Sequence, residues 1–194
     1  MTNLEFFIAR RKAELPAFIR VLKAIPEKKS DYRPDPKARR AVDLAWLLAV
    51  EEIALLSLID TGVVEWKDTP PPEHLGEIVA AFDRSSAEVN ARLEGLDGAA
   101  WEKKVKLLMG GGGAWEDSLS QMAWGFLFDA IHHRGQLSTY LRPMGGRCRR
   151  STARLPTTPA SRLSRAGCLR HSLAVLTEHC PLEEREDTLI AAQY

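Results

Sequence analysis

Apolar residues in this chain recur every three or four positions over four long stretches and alternate every second position almost nowhere. That spacing follows the 3.6-residue turn of a helix, so an all-α fold of amphipathic helices packed on one another is expected. Leu4, Phe7, Ile8, Leu15, Phe18, Ile19 and Leu22 form the first stripe, after a cap at Thr2 or Asn3. Pro16 lies inside that stripe and removes one backbone hydrogen bond, which predicts a kink or a helix in two pieces. A second helix is expected from about Arg39 to Asp60, stopped by Thr61 and Gly62, and a third from about Glu73 to Leu96. The fourth starts after Asp117 or Ser118 and runs through Trp124, Leu127, Phe128 and Ile131 to Leu141, with Pro143, Gly145 and Gly146 ending it.

The connections differ in character. Residues 31–37, with Pro34 and Pro36, read as an extended link, and residues 64–72, with Trp66 and three consecutive prolines, as a loop laid over the bundle. Residues 99–116 are a long crossover with a short extended piece at Lys103 to Leu107, so the third and fourth helices need not be antiparallel neighbours. The run Gly110 to Gly113 lacks the lysine, the hydroxyl residue and the βαβ context of a phosphate loop and reads as a flexible turn.

Composition divides the chain near Gly146. Residues 1–146 hold 19 basic and 21 acidic residues, whereas 147–194 hold 8 arginines, no lysine and 5 acids. All tryptophans and phenylalanines precede the break, so the core is expected in a domain spanning 1–146, followed by an Arg-rich, irregular tail over 147–194. The three cysteines all lie in that tail, without disulfide or zinc-knuckle spacing. No run reaches eighteen apolar residues and the N-terminus has no secretory pattern, so a cytoplasmic protein with no membrane partner is expected.

The last helix carries a distinctive word. Asp129-Ala-Ile-His-His-Arg-Gly-Gln-Leu-Ser-Thr-Tyr-Leu-Arg-Pro-Met-Gly resembles the terminal helix of the DinB-like (DinB/YfiT) family, and Leu44-Ala-Trp-Leu-Leu-Ala-Val-Glu-Glu is similar to that family's second helix. The resemblance covers residues 1–146. It implies a four-helix bundle with a long crossover before the last helix. It also implies a divalent metal, commonly nickel or zinc, held by one histidine of the second helix and two histidines spaced by four on the last. Residues i and i+4 share one helix face, so both reach one ion while a third ligand arrives from a neighbour. Some members of the family are similar to thiol-dependent transferases.

This chain departs from that pattern at two of the three ligand positions. Leu47 stands at the helix-two histidine and Asp129 at the first histidine of the last helix; His133 matches the third. Glu51, one turn beyond Leu47, offers a replacement, and Glu51, Asp129 and His133 together would suit zinc, iron or manganese. The alternative is a polar cluster in which Asp129 accepts a hydrogen bond from His133 or His132 while Glu51 or Glu52 is solvated. His132 projects about 100° away from His133 and is expected at the surface. Arg134 and Arg142 are expected to bind carboxylates or helix-end carbonyls, or to face solvent. Gly135 is expected to let a neighbouring helix approach, with Gln136 bonding across that contact, and Tyr140 to be a core residue or to line a pocket mouth.

Two functions follow as expectations. One is a divalent-metal-dependent enzyme, a thiol-dependent transferase or a hydrolase acting on a small molecule; the other is a metal-free bundle serving as a stress-associated binding protein. Either is expected as a homodimer. The arginine tail offers phosphate contacts, but nucleic acid is the least expected partner. Read back into GC-rich codons and shifted by two bases, the stretch after Gly146 spells a segment of the kind expected after this helix. Residues 147–194 are therefore expected to be a frameshift product or an unselected tail.

Overall fold

Thr2 accepts a hydrogen bond from the Glu5 backbone at 3.2 Å while Glu5 accepts one from the Thr2 N–H at 2.8 Å, a reciprocal cap that starts α1, Asn3–Lys23. In the computed structural model α1 continues through Pro16 as a single helix, so of the two alternatives the broken helix does not occur. The structure describes residues 1–146. The expectations for 147–194, including the domain boundary and the frameshift, lie outside the described residues.

The second bundle helix, α2 (Ala41–Thr61), ends on Gly62, whose φ of 80° is left-handed and stops the helix. The third, α3, spans Leu75–Glu94. A single turn, α4 (Gly98–Trp101), precedes the last long helix, α5 (Leu119–Met144), which Ser118 caps by accepting from the Gln121 N–H. α5 passes Pro143 and ends at Met144, three residues beyond the expected end at Leu141; Gly145, φ 79°, stops it. Proline fixes a helical φ, so in a last turn it costs one hydrogen bond without breaking the helix.

The connections contain a small sheet that the helical pattern did not announce. Strands β1 (Val63–Glu65), β2 (Lys104–Leu108) and β3 (Ala114–Ser118) lie in the order β1-β2-β3, the first pair parallel and the second antiparallel. β2 is the expected extended piece: Val105 and Leu107 are buried while Lys104 is exposed. The glycine run is the hairpin turn between β2 and β3, with Gly111 and Gly112 at φ of 90° and 92°. β1 falls within the stretch expected as loop, and β3 is largely exposed, so neither carries an apolar signature. The fold remains a helical bundle with this sheet attached.

In the bundle α1 and α2 each pack mainly against α3 and α5, so α1 faces α2 across one diagonal and α3 faces α5 across the other. This is why the crossover from α3 to α5 is long. The apolar interior falls into two clusters. One contains Phe18, Leu22, Leu44, Leu48, Phe82 and Leu137; the other contains Phe7, Leu55, Val89, Leu93, Trp101 and Met122. Between them every bundle helix contributes buried polar groups: Arg11 and Glu14 from α1, Glu51 and Glu52 from α2, Ser85 and Ser86 from α3, and Arg134 from α5.

Two ion-pair systems hold this layer. The Arg11 guanidinium donates to both carboxylate oxygens of Glu52, one at 2.9 Å, and its Nε donates to Asn90 Oδ1 at 2.9 Å, joining α1, α2 and α3. Arg134 donates to Glu14 at 2.5 Å and stacks over the Phe18 ring at 4.6 Å, while Arg10 pairs with the other oxygen of Glu14. Charges buried this deeply are tolerated because each is met by an opposite charge and by hydrogen bonds.

Candidate metal centre

At one edge of the polar layer α2 presents Glu51 and α5 presents Asp129 and His133 on successive turns of one face. His133 Nε2 lies 3.4 Å from Asp129 Oδ2 and 3.7 Å from Glu51 Oε1. One donor atom from each of the three residues lies within 4.8 Å of the others. Two donors held about 2.1 Å from a zinc ion at a tetrahedral angle stand about 3.4 Å apart, so the spacing about His133 suits a shared ion. The structure therefore brings together the three residues expected from the sequence.

Burial distinguishes the three. Glu51 is 3% exposed, the Asp129 side chain is half exposed, and His133 lies between them. The alternative that Glu51 or Glu52 is solvated does not hold for either, because α2 faces the bundle along both positions. Among the described residues neither carboxylate oxygen of Glu51 accepts a hydrogen bond, although Glu52 beside it is bound to Arg11; only as the protonated acid does Glu51 have a partner, Asp129, to donate to. A buried carboxylate without donors is costly unless it is protonated or meets a cation.

The electrostatics express the same tension. Burial pushes the Glu51 carboxyl well above its ordinary value, and the Asp129 charge adds to the effect. The hydrogen bond to His133 holds Asp129 below the usual carboxylate range. Burial disfavours the imidazolium of His133, but its bonds to Asp129 and Gln136 outweigh that and raise its pKa. Without a metal the cluster retains protons; an ion would replace them.

Gln136 holds His133 in place. Its Oε1 lies 3.0 Å from His133 Nδ1, so a proton on Nδ1 leaves the Nε2 lone pair facing the two acids. This corrects the expectation that Gln136 bonds across a helix contact at Gly135. A Cβ added at Gly135 would meet nothing within 4 Å among the described residues, so none of the described helices approaches there. His132 is exposed and meets the His133 ring only edge-on, as expected of a residue outside the site. Arg134 binds the Glu14 carboxylate, Arg142 is exposed, and Tyr140 is a core residue packed against Tyr32.

Leu47 is buried one turn before Glu51 and lines an open cleft of about 460 Å³ between α2 and the segment 66–71. Trp46 fastens that segment by donating its indole N–H to the Thr69 carbonyl and hydroxyl, each at 3.0 Å. Trp66 stacks on Phe126 of α5, so residues 66–71 do lie over the bundle as expected. Reading the sequence for motifs missed Arg11 and Glu14. The available signal was their place on the inward stripe, four and three residues apart between Phe7 and Phe18.

No family model and no curated protein matches the sequence. Among solved structures, the DinB-like protein YjoA from Bacillus subtilis is 14% identical with a TM-score of 0.60, over 76% of this chain and 99% of that one. A DinB-like protein from Bacillus cereus is 16% identical with a TM-score of 0.61, over 74% and 93%. A mycothiol-dependent maleylpyruvate isomerase, 15% identical over 73% and 67%, scores 0.45. The chain has the DinB-like fold.

Proposed function

We propose that this chain is a divalent-metal-dependent enzyme, a thiol-dependent transferase or a hydrolase, whose ion is held by Glu51, Asp129 and His133. The observation that carries the reading is Glu51, a carboxylate 3% exposed whose oxygens accept no hydrogen bond from the described residues, facing an imidazole nitrogen 3.7 Å away. A protein interior rarely leaves an acid in that state without a proton or a cation to meet it. Two oxygen donors and one nitrogen favour zinc, iron or manganese over the softer ions that sulfur ligands select. When bound, such an ion supplies Lewis acidity to an oxygen of the substrate. The chain's own residues supply orientation: Gln136 fixes the imidazole, and the half-exposed Asp129 leaves the site open to solvent.

Elemental analysis of the full chain tests the proposal. About one ion per chain is expected in the wild type after loading with zinc or manganese, with loss of the ion in His133→Ala and Glu51→Gln. A wild type that stays metal-free under the same loading refutes it, leaving the metal-free binding protein as the better account. The proposal also includes the homodimer. Phe6 and Phe128, 51% and 62% exposed, flank Trp124 in a ridge of stacked and tilted rings suited to a second copy.

A further inference from the structure

The cleft beside Leu47 has the size of a small-molecule site, for which about 300–1,000 Å³ is typical. Trp46, Trp66, Leu47 and Val50 give it apolar walls, and Pro70 and Pro71 stiffen its rim. Its cations are not equivalent. Arg40 is bound by Asp31 and Asp43, and Lys67 is paired with Glu65 at 2.9 Å. Arg39 makes no hydrogen bond or ion pair with the described residues. Arg39 lines the same cleft as Leu47, which lies one turn before Glu51 on α2. Asp68 is the other charged lining residue without an ion pair among the described residues, and it opposes a second negative group on the ligand.

From this juxtaposition we infer that the cleft binds a small organic monoanion, a carboxylate with a flat apolar body. Arg39 takes the carboxylate, and the tryptophan-lined walls take the body. The planar fork of arginine matches a carboxylate through two parallel hydrogen bonds, and indole surfaces favour planar apolar groups. Leu47, part of the wall, lies one turn before Glu51 on the same face of α2, so the cleft adjoins the helix face that carries a ligand of the proposed ion. The inference rests on the metal-enzyme reading for what happens to the ligand, but not for its binding.

Binding of 1-naphthoate to the full chain, followed by calorimetry or ligand-observed NMR, tests it, with the uncharged 1-naphthamide as control. The measurements use protein stripped with a chelator and are repeated on His133→Ala, so failure of the metal reading leaves them interpretable. Saturable naphthoate binding is expected in both proteins, weakened at least about tenfold in Arg39→Gln and partly restored in Arg39→Lys. Naphthamide is expected to bind at least about tenfold more weakly than naphthoate, with no further loss in Arg39→Gln. Arg39 is exposed, so its variants should keep the wild-type circular dichroism. Equal binding of acid and amide, unchanged naphthoate affinity in Arg39→Gln, or no saturable binding to wild type overturns the inference.

Discussion

Replacing Glu51 by glutamine should stabilise the metal-free protein and weaken the metal-loaded one, a reversal that a purely structural glutamate would not show. In the wild type the carboxyl is almost fully buried, has no hydrogen-bond donor and is pushed well above its ordinary value of 4.5. Above pH 4.5 the unfolded chain releases the Glu51 proton while the folded chain retains it. Stability contributed by the protonated form is therefore lost as pH rises from about 4.5 through the folded pKa. His133 acts in the same sense: its raised pKa gives stability that is complete below 6.5 and disappears as pH rises through the folded value. Asp129 acts oppositely, stabilising above 3.8 and losing that contribution as pH falls through its lowered value. Glutamine keeps the shape and stays neutral, so it escapes the Glu51 loss.

Holding the proton on Glu51 at pH 8, or burying the bare carboxylate, is a cost that neutral glutamine avoids; on the scale of an unsatisfied buried group it is about 1–3 kcal/mol. At roughly 2–4 °C per kcal/mol for a chain of this size, Tm should rise by on the order of 5 °C. Towards pH 4.5 the difference should shrink to about 0.4 kcal/mol, because wild-type Glu51 is then protonated in the folded chain and half protonated in the unfolded one. Metal at about a hundred times its Kd should add about 2.7 kcal/mol to the wild type and much less to the variant. Thermal unfolding by circular dichroism between pH 4.5 and 8, with chelator and then with zinc or manganese, measures both effects. A metal-free variant that melts below wild type at pH 8, or an equal response of both proteins to metal, would refute the reasoning.

Other perturbations probe the surroundings of the site. Arg134→Met leaves Glu14 buried at 1% exposure with only Arg10 for company and should cost about 3–5 kcal/mol by urea unfolding; a loss below about 1 kcal/mol would show that Arg10 alone neutralises Glu14. Gly135→Ala should stabilise the chain by about 1 kcal/mol, because a helix-interior glycine is replaced where the new methyl meets nothing, and a lower Tm would expose a contact not seen here. Phe128→Ser should shift the chain from dimer to monomer in light scattering at unchanged helicity, whereas a wild type already monomeric at working concentration removes the dimer from the proposal.

By itself the sequence determined the four bundle helices and the stops at Gly62 and Gly145, and narrowed two caps to Thr2 or Asn3 and Asp117 or Ser118, because periodicity and cap chemistry act over a few residues. It also put Asp129 and His133 on one face, since a spacing of four does so in any helix. Gly135 shows the limit of such reasoning: a mid-helix glycine looks like a close contact, yet whether anything approaches depends on a neighbour distant in the chain. Tertiary structure alone decided that Glu51 is buried, accepts no hydrogen bond from the described residues and is turned towards His133, while Glu52, one residue on, is taken by Arg11. That choice depends on how α2 is rotated against its neighbours, and a 100° step per residue separates a candidate ligand from a structural ion pair.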